Sequence, residues 1–316
     1  MLSKTEALNP EHQSVLTELQ TPASALDEKV DIAPEWLEVL TGKPLTSGNG
    51  DSKIKMEAND ADKNPDYEKV KGTTFVDDSG NTTTDAEAGI KLNDVQQGAL
   101  GDCYFLATLA AVARTRPERI KEIITDHGDG TYTVNFTLSG IFSNYTEPVT
   151  VDSSFWRNSA DTPIYAKEGD TSSADGPELW VMIIEKAWAK LHGGYGEITG
   201  SKADHDARLA ITGKEAEYIS PSGMTADELF NKVKAHFKDN DKPIIFWSNK
   251  GGKDNPKAEK KLQADGVVGN HEYVLQGVNE ANKTFSLYNP WGSDHLENKD
   301  ADFIKKHFQK VRFLDI

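Results

Sequence analysis

The chain has one cysteine in 316 residues. No intrachain disulfide can form, so a small scaffold stapled by disulfides is excluded. No run approaches the roughly 18–20 uninterrupted apolar residues that a membrane-spanning helix needs. The opening residues, MLSKTEALNPEHQ, lack a charged stretch followed by an apolar one, so no secretory signal peptide is expected. These absences lead to a cytoplasmic expectation, with secretion by a signal-free route left open. Basic charge is scarce: 35 Lys and Arg stand against 51 Asp and Glu, a net charge of −16. With no basic stripe to follow a phosphate backbone, nucleic acid is not an expected partner. Nothing in the composition sets an oligomeric state.

The scarcity is uneven. Residues 1–85 contain no arginine and few apolar side chains, with 17 Asp and Glu against 8 Lys. Stretches such as TGKPLTSGNGDSK and DDSGNTTTD carry turn and linker chemistry. The expectation for 1–85 is a mostly flexible acidic tail, regulatory or dispensable. One island interrupts it, where Trp36, Leu37, Val39 and Leu40 lie between Pro34 and Gly42 as in a short helix.

From about Asp85 the apolar residues fall into patterns. CYFLATLAAVART is apolar all round and predicts a buried helix starting near Cys103. TYTVNFTL alternates as a strand should, after the turn DHGDG, which resembles a calcium loop only superficially because the later ligands are missing. PELWVMIIEKAWAKLHGGYG predicts a long helix, with Pro177 near its start and Gly193-Gly194 at its end. Later come KPIIFWS, HEYVLQGV and KTFSLYNPW as strands, then FIKKHFQKV as a short helix and VRFLDI as a closing strand. Helices first and strands later predict an α+β fold, with a helical subdomain over 86–205 and a β-rich subdomain over 206–316.

The lone cysteine stands in Gln97-Gly-Ala-Leu-Gly-Asp-Cys103. A helix N-terminus favours a thiolate, because unpaired N–H groups and the helix dipole stabilise negative charge there. The Cys103 N–H and the Gln97 side-chain amide are candidate donors to a developing oxyanion. By itself the segment reads equally as a Gly-rich turn into a core helix.

QGALGDC followed by an aromatic residue resembles the active-site segment of the calpain family, papain-like intracellular proteases. Gly269-Asn270-His271-Glu272-Tyr273 resembles that family's strand carrying the catalytic His. Tyr288-Asn289-Pro290-Trp291-Gly292 resembles its Asn-Pro-Trp-Gly segment. The order Cys, His, Asn is that of papain-like enzymes, with His271 168 positions after Cys103 and Asn289 18 positions further on. The Glu178–Leu191 stretch resembles a long family helix, so the likeness runs from about residue 87 to the C-terminus.

The resemblance implies a papain-like two-subdomain core and a cysteine endopeptidase acting on protein or peptide substrates. Cys103 would be nucleophile, His271 base, Asn289 its orienter, Gln97 an oxyanion donor and Trp291 a shield for the His–Asn bond. No organic cofactor is implied. Calcium is, in a site made of the Glu87 and Gly89 carbonyls and the Asp94 and Glu185 carboxylates. A second calcium site is not expected, since His295 stands in place of an acid. Tyr104 replaces a usual Trp, and Glu272 a usually small residue. Two other classes stay open: a transglutaminase-like acyl transferase, and a catalytically silent binding module.

Overall fold

The computed structural model describes residues 66–316, apart from positions 202, 240, 253 and 254. The island at Trp36–Leu40 and most of the expected tail lie outside the described residues. Among the described residues no helix is long and apolar enough to cross a membrane.

The chain enters as strand β1 (Asp66–Lys69). Helix α1 (Cys103–Thr115) follows, then α2 (Pro117–Ile123). Strands β2 (Ile124–Asp126), β3 (Thr131–Leu138) and β4 (Tyr145–Asp152) form an antiparallel meander, and β5 (Ser154–Arg157) pairs back onto β1. Next come α3 (Trp180–Leu191) and α4 (Asp204–Thr212). The remainder is β6 (Glu217–Ile219), α5 (Ala226–Lys234), β7 (Ile244–Ser248), α6 (Pro256–Ala264), β8 (Glu272–Asn279), β9 (Thr284–Tyr288), β10 (Leu296–Asp300), α7 (Ala301–His307) and β11 (Phe308–Phe313). The last six strands form one antiparallel sheet in the order β10-β9-β8-β7-β11-β6.

Two apolar cores organise these elements. The first gathers α1, α3 and the β2–β4 meander around Phe105, Leu109, Phe136, Trp180 and Trp188. Helix α1 is buried on every side, as its uniformly apolar sequence requires. Each of Phe105, Leu106, Leu109 and Val112 contributes at most about 1.5–3 kcal/mol through burial. The second core packs α5, α6 and α7 onto the large sheet through Leu229, Leu262, Phe285 and Ile304. That sheet serves both cores by strand alternation. Tyr273 and Leu275 of β8 enter the second core, while Val274 between them enters the first. Ile245, Tyr288 and Leu314 join Val274 on the first-core face. The fold is α+β, in two lobes that share one sheet.

Two boundaries differ from the sequence expectation. Residues 66–85 pack on the body: β1 pairs with β5, Phe75 and Val76 are buried, and the Val76 N–H donates to the Glu178 carboxylate at 2.9 Å. The polar run after them is an ordered turn in which the Ser79 and Asn81 N–H groups donate to Asp77. A low apolar count hid the few side chains that anchor the segment. The lobe junction also moves. Helix α4 packs on α1 and β3, so it belongs to the first lobe, and the chain crosses after Gly213 in the left-handed region (φ 80°). Helix α3 starts at Trp180, because Thr73 and Asp170 hold Glu178 in extended backbone.

Candidate active site

Cys103 is the first residue of α1 and is almost fully buried. The segment before it leaves no room for a side chain at Gly98. A Cβ on Gly98 would lie 1.9 Å from the Tyr165 carbonyl oxygen, so only glycine fits there. The Gly101 N–H donates to Thr199 Oγ1 at 3.2 Å, and the Gly101 carbonyl accepts from the Gly200 N–H at 2.9 Å. Tyr104, one residue on, is anchored through its hydroxyl to the Ile198 carbonyl at 2.7 Å.

His271 immediately precedes β8, and Asn289 immediately follows β9, its antiparallel neighbour. The two strand ends bring their side chains together: His271 Nε2 and Asn289 Oδ1 are 2.8 Å apart and buried. The Trp291 N–H donates to the same Oδ1 at 3.1 Å. A backbone N–H can only donate, so this atom is an oxygen acceptor and the Nε2 must carry the hydrogen. Nδ1 is then the ring's free basic nitrogen. The Trp291 ring lies over the imidazole with centroids 4.9 Å apart, and Tyr273 meets it edge-on at 5.0 Å.

The Cys103 segment and the His271 segment touch. The Cys103 thiol contacts the Asn270 carbonyl oxygen at 4.0 Å. The loop before Cys103 is docked on the Asn289 turn. The Gln97 N–H donates to the Pro290 carbonyl at 2.7 Å, and the Tyr288 hydroxyl donates to the Val95 carbonyl at 2.9 Å. Gly292 takes φ 76° beside Gln96, where a Cβ would approach the Gln96 side chain to 2.9 Å.

Gln97 lies buried in this loop, but one of its amide hydrogens goes to the Leu100 carbonyl at 2.6 Å. It braces the turn into α1 and leaves its second amide hydrogen available.

Ser248 has no motif to announce it. It ends β7 and clamps His271 from both sides. Its hydroxyl accepts from the His271 N–H at 2.9 Å and donates to the Val268 carbonyl at 2.7 Å, while its own N–H donates to the His271 carbonyl at 2.9 Å. Asn270 takes positive φ (52°), a conformation asparagine tolerates, and its side chain ties the loop to the Gly251 carbonyl at 2.9 Å.

Burial dominates the electrostatics. It pushes the Cys103 thiol up to about 12, with the Glu272 charge adding to the rise. It pushes the His271 imidazole down to about 4, against the opposing effect of the Asn289 bond. Burial therefore favours the neutral forms of both thiol and imidazole near pH 7.

The four expected calcium ligands divide between two places. Asp94 is buried and accepts from the Lys91 N–H at 2.6 Å and the Trp180 indole at 3.3 Å. Burial raises it to about 6. The acid that feels the Asp94 charge is Glu178, held at about 8 mainly by burial and next by Asp94. Glu185 lies instead with Asp102 and accepts the Ala166 N–H at 3.0 Å. Glu87 is exposed and Gly89 buried. Among the described residues no three His, Cys, Asp or Glu side chains converge as metal ligands.

The family model described as calpain family cysteine protease matches residues 66–309. The calpain-type cysteine protease DEK1 of Zea mays is 32% identical over 216 residues, which is 65% of this chain and 9% of that protein. Calpain clp-4 of Caenorhabditis elegans is 30% identical over 214 residues, 64% of this chain and 27% of that one. The chain thus spans a small part of the length of these relatives. Among solved structures, a fragment of Prevotella intermedia prointerpain A is similar at 12% identity over 88% of this chain and 78% of that one, with a TM-score of 0.31, too low to bear on the fold. From Asp66 to Gln309, the chain belongs to the calpain family of cysteine proteases.

Proposed function

We propose that this chain is an active cysteine endopeptidase that cleaves proteins or peptides through a thioester on Cys103. The observation that carries this reading is the His271–Asn289 bond of 2.8 Å beneath Trp291, beside a thiol that contacts the residue before the base. His271 Nδ1 takes the Cys103 proton as the sulfur attacks a peptide carbonyl. The Cys103 N–H and the remaining Gln97 amide hydrogen stabilise the oxyanion. The imidazolium then protonates the leaving amine, and water releases the acyl group. Asn289 keeps Nε2 protonated and the ring aimed, and Trp291 keeps water off that bond. Mass spectrometry of an unfolded protein after incubation tests the reaction type. New peptide termini support hydrolysis; new isopeptide bonds or an untouched substrate contradict it.

Ser248→Ala is expected to leave the His271 N–H and the Val268 carbonyl unpaired. The cost is about 1–3 kcal/mol of stability, read in denaturant melts. Turnover should fall about tenfold, with KM little changed, because an aiming contact is lost rather than a substrate contact.

Calcium belongs to this reading as a regulator. Asp94 and Glu178 would hold it, with the Glu87 and Gly89 carbonyls as the neutral donors: the two buried carboxylates are hard oxygen ligands whose repulsion a divalent ion relieves. Its contribution would be charge neutralisation beneath the loop that leads to Gln97. In calorimetric titration of Ca²⁺, Asp94→Asn and Glu178→Gln should abolish binding, and Glu185→Gln should leave it. Retained binding in the first two variants, or no heat at millimolar Ca²⁺ in the parent, contradicts the assignment.

A further inference from the structure

Glu272 follows His271 directly, and its side chain is buried on the sheet face that meets the first lobe. Its neighbours along that face, Ile245, Val274, Tyr288 and Leu314, are apolar or aromatic and belong to the first core. In this setting a carboxylate needs partners. It has two. Arg208 of α4 places Nη2 2.8 and 2.9 Å from the two Glu272 oxygens. Arg312 of β11 donates to Glu272 Oε1 from its other side. Asp204 of α4 completes a ring: its Oδ1 accepts from Arg208 Nη1 at 2.5 Å, and its Oδ2 lies 3.6 Å from Arg312 Nη2. The Arg312 guanidinium also stacks over Trp247 at 4.8 Å. Two cations and two anions balance, so the group carries no net charge into the interior.

The quartet spans the lobes. Asp204 and Arg208 ride on α4, which packs against the helix that starts at Cys103. Glu272 and Arg312 sit on the large sheet that carries His271. Apolar contact between lobes is not directional and tolerates sliding, whereas forked charge-assisted bonds hold one register. We propose that the Asp204–Arg208–Glu272–Arg312 quartet is an interlobe clamp that fixes His271 against Cys103, making Glu272 and Arg208 positioning residues for the catalytic pair. The clamp is built wholly from side chains of this chain. The proposal rests on Cys103 and His271 being the reacting pair.

The sign of the effect separates a clamp from simple electrostatics. The charges acting on the sulfur are those of Glu272 and Asp102, and the Asn270 carbonyl beside it is neutral. If Glu272 and Arg208 acted only through charge, Glu272→Gln would make Cys103 easier to ionise and Arg208→Gln harder. As parts of a clamp they act alike. The experiment measures alkylation of Cys103 by iodoacetamide from pH 4 to 10, with kcat and KM for a peptide alongside. Both single variants, and Arg208→Lys, should show slower alkylation below pH 8 and a kcat reduced about 10- to 100-fold, with KM within about threefold of the parent. Should the singles unfold, Arg208→Met/Glu272→Met removes both charges together. It should fold, because a buried ion pair is replaceable by apolar side chains, and show the same loss of kcat. Opposite shifts in the single variants, or a folded double variant with parental kcat and alkylation, overturn the clamp. Alkylation needs no substrate, so absence of proteolysis in the parent would count against the proposed function while leaving the clamp test readable.

Discussion

Cys103→Ala should reduce cleavage of an unfolded protein by about 10⁵-fold or more, the scale on which removal of a catalytic nucleophile acts. The chain has no other cysteine to substitute for it. The fold should survive. Cys103 is the first residue of α1, alanine is the best helix former, and the change removes one sulfur from a small side chain at the lobe interface. Its thermal melt should therefore match the parent within a few degrees, a shift of about 1 kcal/mol or less. Loss of activity together with loss of folding would leave the assignment of the nucleophile unsupported. Comparable proteolysis by a folded Cys103→Ala protein would refute it.

His271→Ala should be nearly as severe, with a diagnostic pH dependence. Without the base, the thiol must ionise in a buried site that holds it near 12. At neutral pH the rate should fall by about 10⁴-fold. The remaining rate should rise by about tenfold per pH unit between pH 7 and 10, because it follows the thiolate population below the thiol pKa. The parent should behave otherwise. Burial disfavours the imidazolium, so His271 stays unprotonated down to about pH 4, and the acid limb of kcat/KM is expected well below the ordinary histidine range near 6.5. A His271→Ala profile that stays flat would contradict the base assignment, and a parent acid limb at 6.5 would contradict the depression of the imidazole by burial. Peptide turnover across pH 4–10 provides the measurement.

The candidate-site segments were legible because their pattern is local. A Gly-rich turn into an apolar helix, a His opening a strand and an Asn closing the next one each leave a pattern within a few residues. What escaped was set by partners far along the chain. Ser248 acts on His271 across 23 positions, and Glu272 meets Arg208 across 64 and Arg312 across 40. Glu272 was visible as a departure, but its purpose depends on three side chains from two other elements. Glu178 and Glu185 stand in one motif, and only the packing shows that Glu178 faces Asp94 while Glu185 faces Asp102. Residues 66–85 read as tail because propensity counts apolar residues. Phe75 and Val76 with one strand pairing suffice to hold that segment down. Gln97 stands out in the sequence six residues before Cys103, yet sequence could not show that the Leu100 carbonyl engages half of its amide.

The proposed mechanism passes through a covalent acyl group on Cys103. The most direct measurement mixes the enzyme with a slowly turned-over peptide ester, quenches in acid within milliseconds to seconds, and analyses the peptide bearing residue 103 by mass spectrometry. The expected result is a mass increase equal to the acyl group on Cys103, released by hydroxylamine and absent from Cys103→Ala. Product formation with Cys103 unmodified at every time point would contradict it.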